Sequence, residues 1–455
     1  MSLKALFDQV KPHLHFDELK SLLQRNDEVR LNRYTGSTIG FLLKLLHDAK
    51  EPVWVITPDE DSARALESDL IEIDTNDVFY FPATSDKPYD KEIITDPAIM
   101  VQRSDIIQQI TTKKYPFLIT SSRALFEKVG SPINFRKHTI TLIKDQHIDP
   151  DSIRETLTDQ GYEVVSFVVT PGEVAFRGGI MDVFPFTGTY PVRIEFFGDQ
   201  IDSIREFDPD TQRSVSFLNE ARLVPNISRK SGVSDQLDIS LKYASDNTIV
   251  VCIQPDQVHN QLRELWNQAN TSYKLNSTAG TPEPGELYVS PDDFNTFIGK
   301  FKRLLINGLY ESQSDVNIEL NSNAQPDFNS TIKLLKSDIE EKTKAGIRTW
   351  ILCDNDGQRD RFEELLGEPA ADFDYVLSIH SLHQGFILPD AKIAVYTDHQ
   401  IFNRYHRPKV RQRKIRGGFS MKEIRDLKSG DYVVHVDFGI GQFQGFKQIV
   451  VKNIP

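Results

Sequence analysis

One strand–turn–helix pattern occurs three times in this chain of 455 residues. In each copy, a short and continuous apolar run, typical of a strand buried on both faces, precedes a turn and an amphipathic helix. An Asp or Asn after each run is expected to cap the helix N-terminus. Buried strands alternating with such helices indicate α/β units with parallel sheets. The copies are Val53–Ile56 with Pro58–Asp59 and Ala63–Leu70, Ile249–Ile253 with Pro255–Asp256 and Val258–Trp266, and Thr349–Cys353 with Asp354–Asn355 and Arg361–Leu366.

Length and composition predict a multidomain globular protein. A chain of 455 residues exceeds what one hydrophobic core supports, so we expect three or four domains. The net charge of −13 argues against a surface that wraps nucleic acid as a whole. No secretory signal or membrane-spanning run is evident, which predicts a cytoplasmic protein without membrane contact. The isolated Cys252 and Cys353 have neither disulfide nor zinc-ligand spacing.

A segment near the N-terminus has the outline of a phosphate-binding loop before an apolar helix. In the working form, GxxxxGK[ST], the lysine reaches the phosphates and the hydroxyl holds Mg²⁺. Here Ile39 stands in the lysine position and Gly40 in the hydroxyl position, while Arg33 and Thr38 replace the two glycines. We therefore expect the loop neither to bind nor to hydrolyse ATP. The residues of this degenerate loop are Arg33, Gly36, Thr38, Ile39 and Gly40.

The other polar residues form no recognisable catalytic or metal-binding constellation. The histidines have neither HxH nor HExxH spacing, and there is no nucleophile elbow of the form GxSxG. We expect no metal site and no catalytic residue. Several acidic residues instead have the spacing of turns and solvated faces: Asp199, Asp202, Asp208 and Asp210.

Residues 192–197 alternate, a Gly198–Asp199 turn follows, and then come Ile201 and Ile204, which predicts a β-hairpin over 191–207. Val192, Ile194 and Phe196 are expected to face a core, and Arg193, Glu195 and Phe197 the opposite side. One interpretation is an Arg–Glu pair on a wet surface, with the outer aromatic ring covered by a loop. The other is a binding face, because an aromatic ring beside a guanidinium is typical of interface hot spots.

Two further segments contain cationic residues that are candidates for contacts with a partner or a phosphate. Arg177 precedes Gly178–Gly179, which permit a sharp bend, and spacing leaves open whether Arg177 joins the hairpin face. Between Arg404 and Arg416 there are seven Lys/Arg and no acid, typical of a solvated linker or, alternatively, of a phosphate contact. The candidates for such a contact are Arg411, Arg413, Lys414 and Arg416.

Together these motifs resemble a known family along essentially the whole chain. Gly172–Glu173, Arg177–Pro185, Pro191–Asp199 and Phe207–Ser214 resemble the module shared by excinuclease B and bacterial transcription-repair coupling factors. The Thr211–Ser214 ending and Phe79–Asp90 are more similar to the coupling factors. Gly430–Phe443 resembles the start of their RNA polymerase-interacting domain. The resemblance therefore favours the N-terminal region of a coupling factor.

The resemblance implies an α/β multidomain architecture. It begins with a degenerate, RecA-like parallel-sheet domain, into which an α+β domain is inserted. A small α/β domain, a basic linker and the start of an SH3/Tudor-like β-barrel follow, and we expect the chain to stop inside this barrel. The implied limits are 1–125 and 223–320 for the first domain, 126–222 for the insertion, 326–400 for the small domain, 401–427 for the linker and 428–455 for the barrel.

The resemblance also implies partners. The inserted domain of this family binds excinuclease A, and the binding face maps onto Arg177, Arg193 and Phe197, with Glu195 a neighbour. Ala175 stands where excinuclease B has a further arginine, so part of that contact set is absent. The last domain implies binding to the β chain of RNA polymerase. Family members resemble ATP-dependent translocases that displace stalled polymerase, with ATP, Mg²⁺ and most DNA contacts in downstream motor domains. This chain is thus expected to be a non-enzymatic adaptor without a cofactor.

Two alternatives remain open. An excinuclease B-type, ATP-dependent protein that verifies DNA damage would need an intact phosphate-binding loop and a tyrosine-rich hairpin, whereas Phe81–Asp90 offers only Tyr89 in a short loop. A stand-alone α/β binding module without a role in repair would leave the motif match unexplained.

Overall fold

The computed structural model describes residues 3–84, 87–89, 97–209, 211–227, 237–278, 280–308, 316–405, 430, 432–435 and 439–445. The chain divides into two units, one of Met1–Lys137 with Ile227–Gln412 and one of His138–Asn226 with Arg413–Pro455. In this described part of the chain, no helix has the length and apolar character needed to cross a membrane. The domain limits predicted from the sequence stay predictions.

The helices and strands are numbered here in chain order. The helices are α1 Leu3–Val10, α2 Phe16–Arg25, α3 Thr38–Asp48, α4 Glu60–Glu72, α5 Pro97–Thr112, α6 Ser122–Phe126, α7 Pro132–His138, α8 Pro150–Asp159, α9 Pro255–Asn276, α10 Pro284–Leu287, α11 Pro291–Ile298, α12 Ile332–Lys344, α13 Asp356–Leu366 and α14 Asp398–Ile401. The strands are β1 Glu28–Asn32, β2 Val53–Thr57, β3 Val78–Phe81, β4 Phe117–Ser121, β5 Val129–Gly130, β6 Ile140–Ile143, β7 Glu163–Val164, β8 Glu173–Arg177, β9 Ile180–Val183, β10 Val192–Phe197, β11 Gln200–Phe207, β12 Ser214–Leu218, β13 Glu220–Leu223, β14 Leu237–Asp238, β15 Ile249–Ile253, β16 Lys302–Ile306, β17 Asn317–Glu319, β18 Asn323–Ala324, β19 Arg348–Cys353, β20 Tyr375–Ile379, β21 Phe386–Leu388, β22 Ile393–Thr397, β23 Tyr432–His435 and β24 Gly439–Gln442.

A parallel sheet of seven strands forms the centre of the first unit, in the order β17-β1-β16-β15-β2-β4-β3. Every residue of β2, β4 and β15 is buried, as expected of strands with helices on both faces. The mixed α/β class predicted from the continuous apolar runs is therefore confirmed.

The first unit also contains a five-stranded sheet in the order β18-β21-β22-β19-β20. Strands β22, β19 and β20 are parallel, whereas β21 and β18 run antiparallel to their neighbours. This sheet packs on α12 and α13 through its own apolar cluster, which includes Leu335, Ile351 and Phe362. Cys252 on β15 and Cys353 on β19 are both buried and not disulfide-bonded.

Two of the three predicted helix caps are confirmed. The Asp59 side chain accepts a hydrogen bond from Ser62 N (2.7 Å) before α4, and the Asn355 side chain accepts one from Gln358 N (3.0 Å) before α13. The expected cap at Asp256 is wrong. There Pro255 occupies the first turn of α9, and the preceding residue takes the N-cap position without a side-chain bond. A proline at this position already supplies the helical φ and has no N–H to satisfy.

The second unit contains a six-stranded sheet in the order β12-β11-β10-β9-β8-β7. All neighbours are antiparallel except β7 and β8. Two-residue turns connect β8 to β9 and β10 to β11, and Gly178 and Gly198 have positive φ in these turns. On the inward side of β10 and β11, Val192, Ile194 and Ile204 are buried. The predicted hairpin and the core positions of Val192 and Ile194 are therefore confirmed, whereas Phe196 is only half-buried. Strands β23 and β24 form a separate antiparallel hairpin.

We expect the Asp59→Ala variant to destabilise α4 by about 1 kcal/mol, because the amide of Ser62 loses its acceptor. The measurement is hydrogen exchange of the amides in the first turn of α4, together with urea denaturation. Asp61→Ala is the control, since it removes the same charge from the same turn and retains the cap bond. Equal effects of the two substitutions would contradict the capping role.

Candidate functional site

Three neighbouring strands bring predicted residues together on one face of the six-stranded sheet. Arg193 on β10 is paired with Asp182 on β9. Glu195 is paired with Ile180, which is in turn paired with Arg177 on β8. Directly opposed and alternate residues point to the same side of a sheet, so these side chains share one face. The residue spacing in the sequence does not decide whether Arg177 lies on the same face as the hairpin residues. The strand register places it on this face.

Asp182 is the centre of this face. Its side chain is 1% exposed, and its Oδ1 and Oδ2 accept hydrogen bonds from Arg193 Nε (2.6 Å) and Nη2 (2.9 Å). Arg177 Nη2 donates to the same Oδ2. The hydrogen bonds to Asp182 raise the pKa of Arg193. A buried carboxylate needs such compensation, and the two guanidinium groups are held in defined orientations as a result.

Aromatic rings lie against both arginines. The guanidinium carbon of Arg193 is 4.5 Å from the centre of the Phe207 ring, and that of Arg177 is 5.1 Å from the centre of the Phe167 ring. Arg193 Nη2 also donates to Gln212 Oε1 at 3.0 Å. A cation over an aromatic face is attracted by the ring quadrupole, which adds to the fixation of each side chain.

Glu195 has partners of its own on β11. Its oxygens accept hydrogen bonds from Ser203 Oγ (2.7 Å) and Arg205 Nη2 (2.6 Å). The Ser203 hydroxyl and the Arg205 guanidinium hold the pKa of Glu195 below its ordinary value. Two separate ion pairs, Arg193 with Asp182 and Arg205 with Glu195, therefore replace the single Arg193–Glu195 pair considered from the sequence.

Phe197 is 82% exposed at the end of β10. The turn beside it is anchored, since the His147 ring nitrogen Nδ1 lies 3.0 Å from Asp199 Oδ1 and Ile148 N donates to Asp199 O at 2.8 Å. Gly198, with φ +67°, allows the tight turn. Among the described residues no loop covers the Phe197 ring, so the interpretation in which a loop covers this ring is wrong. The hairpin presents an exposed aromatic side chain from an anchored backbone.

Sequence reasoning missed Asp182 and Arg205 as members of this face. A signal for Asp182 exists, because it is the one charged residue in the otherwise apolar strand Ile180–Val183. A buried acid in such a strand predicts a cationic partner. Arg205 offers no comparable signal, since its position opposite Arg193 depends on an irregularity in the pairing of β10 with β11.

The degenerate phosphate-binding loop lies between β1 and α3, the strand–loop–helix setting that its outline predicts. Arg33, at the first glycine position, has φ +61° and pairs with Glu319 at 3.1 Å. Ile39, at the lysine position, packs against the core. A Cβ atom on Gly40 would lie 3.3 Å from Asp69 Cβ, so the first turn of α3 is close to α4. Thr38 is buried and its hydroxyl donates to Thr35 O at 2.7 Å.

Backbone N–H groups of this loop, which would cradle a phosphate in a working loop, donate to protein acceptors instead. Their partners come from the end of β16, from the segment after β17 and from the segment before β21. The bonds run from Tyr34 N to Asn307 Oδ1 (3.1 Å), from Thr35 N to Ser322 Oγ (3.1 Å) and from Ser37 N to Gln384 O (3.2 Å).

The segment His383–Gly385 before β21 fills the position in front of the loop. A Cβ atom on Gly36 would lie 2.4 Å from Gly385 O, and Gly36 has φ +53°, so only glycine fits there. His383 N donates to Asp69 Oδ1 at 2.6 Å, and burial raises the pKa of Asp69 to about 7. Protein backbone therefore lies against the loop where a phosphate group would be bound.

Among the described residues, Asp354, Asp398 and His399 have donor atoms close enough to hold a metal ion. Asp398 is buried, and Arg404 Nη2 lies 2.9 Å from its Oδ2. Burial, followed by the nearby Asp354, raises the pKa of Asp398. The arginine already supplies positive charge to this carboxylate, so the cluster has a protein partner without an ion. The basic residues Arg411, Arg413, Lys414 and Arg416 lie outside the described residues.

Comparisons with known proteins give two family-model matches and several relatives of similar sequence. Residues 140–228 match the family model described as the UvrB interaction domain, and residues 427–455 match that of the CarD-like/TRCF RID domain. The chain is 23% identical to the transcription-repair-coupling factor of Bacillus subtilis over 96% of its length, and 25% identical to that of Myxococcus xanthus over 97%. The protein of the same name from Staphylococcus aureus is 22% identical over 97%.

The resemblance to coupling factors seen in the motifs is therefore confirmed, and it extends along nearly the whole chain. These relatives are named transcription-repair-coupling factors and not excinuclease B. The names favour the interpretation as a coupling factor over the alternative of an excinuclease B-type protein. The chain spans about 44% of the length of the curated relatives that it matches.

We expect the Asp182→Ala variant to lower the free energy of unfolding of the second unit by about 3 kcal/mol or more. The substitution leaves Arg177 and Arg193 without the carboxylate that both contact. Glu195→Ala is the control, since its ion pair with Arg205 is more exposed and contributes under ~1 kcal/mol. Hydrogen exchange of the amides in β8–β10 measures both effects, and similar losses would contradict the central role of Asp182.

Proposed function

We propose that this chain, similar to the N-terminal region of transcription-repair coupling factors along nearly its whole length, recruits excinuclease A to stalled RNA polymerase. The proposed docking face consists of Arg177, Arg193, Glu195 and Phe197 on the six-stranded sheet. The observation that carries this proposal is the exposure of Phe197 on the same sheet face as two arginines fixed by a buried carboxylate.

This arrangement has the physical properties of an interface centre. Aromatic and arginine side chains dominate binding energies when a partner excludes water from them. A side chain that is already held in place loses little conformational entropy on binding. Arg193, bonded to Asp182 and stacked on Phe207, is such a preorganised group. The exposed Phe197 ring supplies apolar area that only a partner can bury.

The remaining parts of the proposal concern the whole protein. Residues 427–455, which match the RID model, are inferred to begin an SH3/Tudor-like domain that binds the β chain of RNA polymerase. The first unit is inferred to contain a RecA-like domain that has lost its nucleotide. Like the longer coupling factors, the protein would use ATP, Mg²⁺ and DNA in motor domains to displace stalled polymerase in the cytoplasm. The basic residues 411–416 would add a local phosphate contact.

We expect Arg193→Ala and Phe197→Ala each to weaken binding of excinuclease A by tenfold or more, about 1.4 kcal/mol. The first removes a fixed guanidinium and the second the exposed ring. Calorimetry with purified excinuclease A measures the dissociation constants. Leu275→Ala is the control, because Leu275 is an exposed apolar residue of α9 in the first unit. Unchanged affinity in both face variants would exclude this face.

We also propose that this chain binds no nucleotide and is not an enzyme. The acceptors already bonded to Tyr34 N, Thr35 N and Ser37 N support this, as does Ile39 in the lysine position. In the alternative, an excinuclease B-type enzyme, these groups would bind phosphate.

Calorimetry with Mg·ATP is expected to detect no specific binding to the chain. Ile39→Lys sharpens the experiment, since it restores the lysine and leaves the N–H groups occupied, so we expect this variant not to bind either. A dissociation constant in the micromolar range for the unsubstituted chain would overturn the proposal.

A further inference from the structure

A second exposed aromatic residue lies on the six-stranded sheet, away from the hairpin turn. Strand β12 is at one end of the strand order, and among the described residues it pairs only with β11. Phe217 on this strand is 74% exposed, and Val215 two residues before it is also exposed. Large apolar side chains exposed together on an edge strand are a feature that monomeric proteins usually avoid.

The strand register puts Phe217 in the row of the fixed arginines. Phe217 is paired with Arg205 on β11, Arg205 with Arg193 on β10, and Arg193 with Asp182 on β9. Directly paired residues of neighbouring strands point to the same side of a sheet. Phe217 therefore lies on the same face as the predicted docking residues, one strand beyond Arg205.

Arg205 connects the two aromatic positions. It is bonded to Glu195 at 2.6 Å, and Glu195 is two residues before Phe197 on the same face of β10. The face therefore has charged side chains in its middle, each paired within the protein, and an exposed aromatic ring on each of two strands. Aromatic residues and arginine are enriched at protein interfaces, where they anchor in pockets of the partner.

We propose that the docking face for excinuclease A extends across β11 to the edge strand β12, with Phe217 as a second aromatic anchor. This inference rests on the proposed function. The choice of partner follows from continuity, because Phe217 lies in the same row as Arg193 and within the same 140–228 match to the interaction domain. The partner surface would offer apolar pockets for both rings.

The test is calorimetry of the Phe217→Ala chain with purified excinuclease A. The expected result is a loss of affinity of fivefold or more, with an unchanged thermal unfolding transition, because the side chain is exposed. Phe217→Leu, which retains apolar area, is expected to lose less. Val164→Ala is the matched control, since Val164 is an exposed apolar residue on β7, the opposite edge strand of the same sheet.

The outcomes separate this inference from the proposed function. If Arg193→Ala and Phe197→Ala weaken binding while Phe217→Ala does not, the docking face stands and its extension to β12 is overturned. If none of the three weakens binding, the proposed function fails as well. Light scattering of the chain alone tests whether a second copy of the chain binds at β12. A dimer that Phe217→Ala dissociates would assign β12 to that second copy and overturn the proposal.

Discussion

The candidate docking face depends on the ion pairs that the buried carboxylate of Asp182 forms with Arg177 and Arg193. Register places Arg193 directly opposite Arg205, and two like charges in this relation repel each other. Asp182 pairs with Arg193, as well as with Arg177, and Glu195 pairs with Arg205, so each of the two opposed guanidinium groups has its own carboxylate. Without the acid on β9, the alternating pattern of β10 would place unpaired positive charge on a half-buried surface.

The loop between β1 and α3 forms internal contacts, because its N–H groups donate to protein acceptors. Its position after a parallel strand and before a helix is the one in which phosphate groups are usually bound. The side chains that would hold the phosphate and metal are replaced, and Gly36 retains its conformational role by allowing Gly385 to approach. The segment His383–Gly385, which precedes β21 of the five-stranded sheet, thus packs on the loop.

Much of this architecture could be predicted, because the strongest signals are local. Continuous apolar runs predicted β2, β15 and β19, and strict alternation predicted the outward side of β10. Register could not be predicted in this way. Counting from the Gly198–Asp199 turn places Glu195 opposite Asp202, two acids that would repel. The irregular pairing instead shifts Ser203 opposite Glu195, and this shift also determines the position of Arg205. Long-range packing, such as that of Gly385 on Gly36, leaves no local pattern either.

The charged and the exposed aromatic side chains of the sheet face would contribute differently to docking, because, among the described residues, only the charged ones have partners within the protein. The charged groups are already ion-paired within the protein, so a partner that covers them gains little from new ion pairs and must keep the existing ones. The aromatic side chains have the opposite balance, because Phe197 and Phe217 are largely exposed and contribute little to folding. Most of the favourable free energy of docking would therefore come from burial of the rings, while the arginines, already ordered, provide orientation at a small entropic cost.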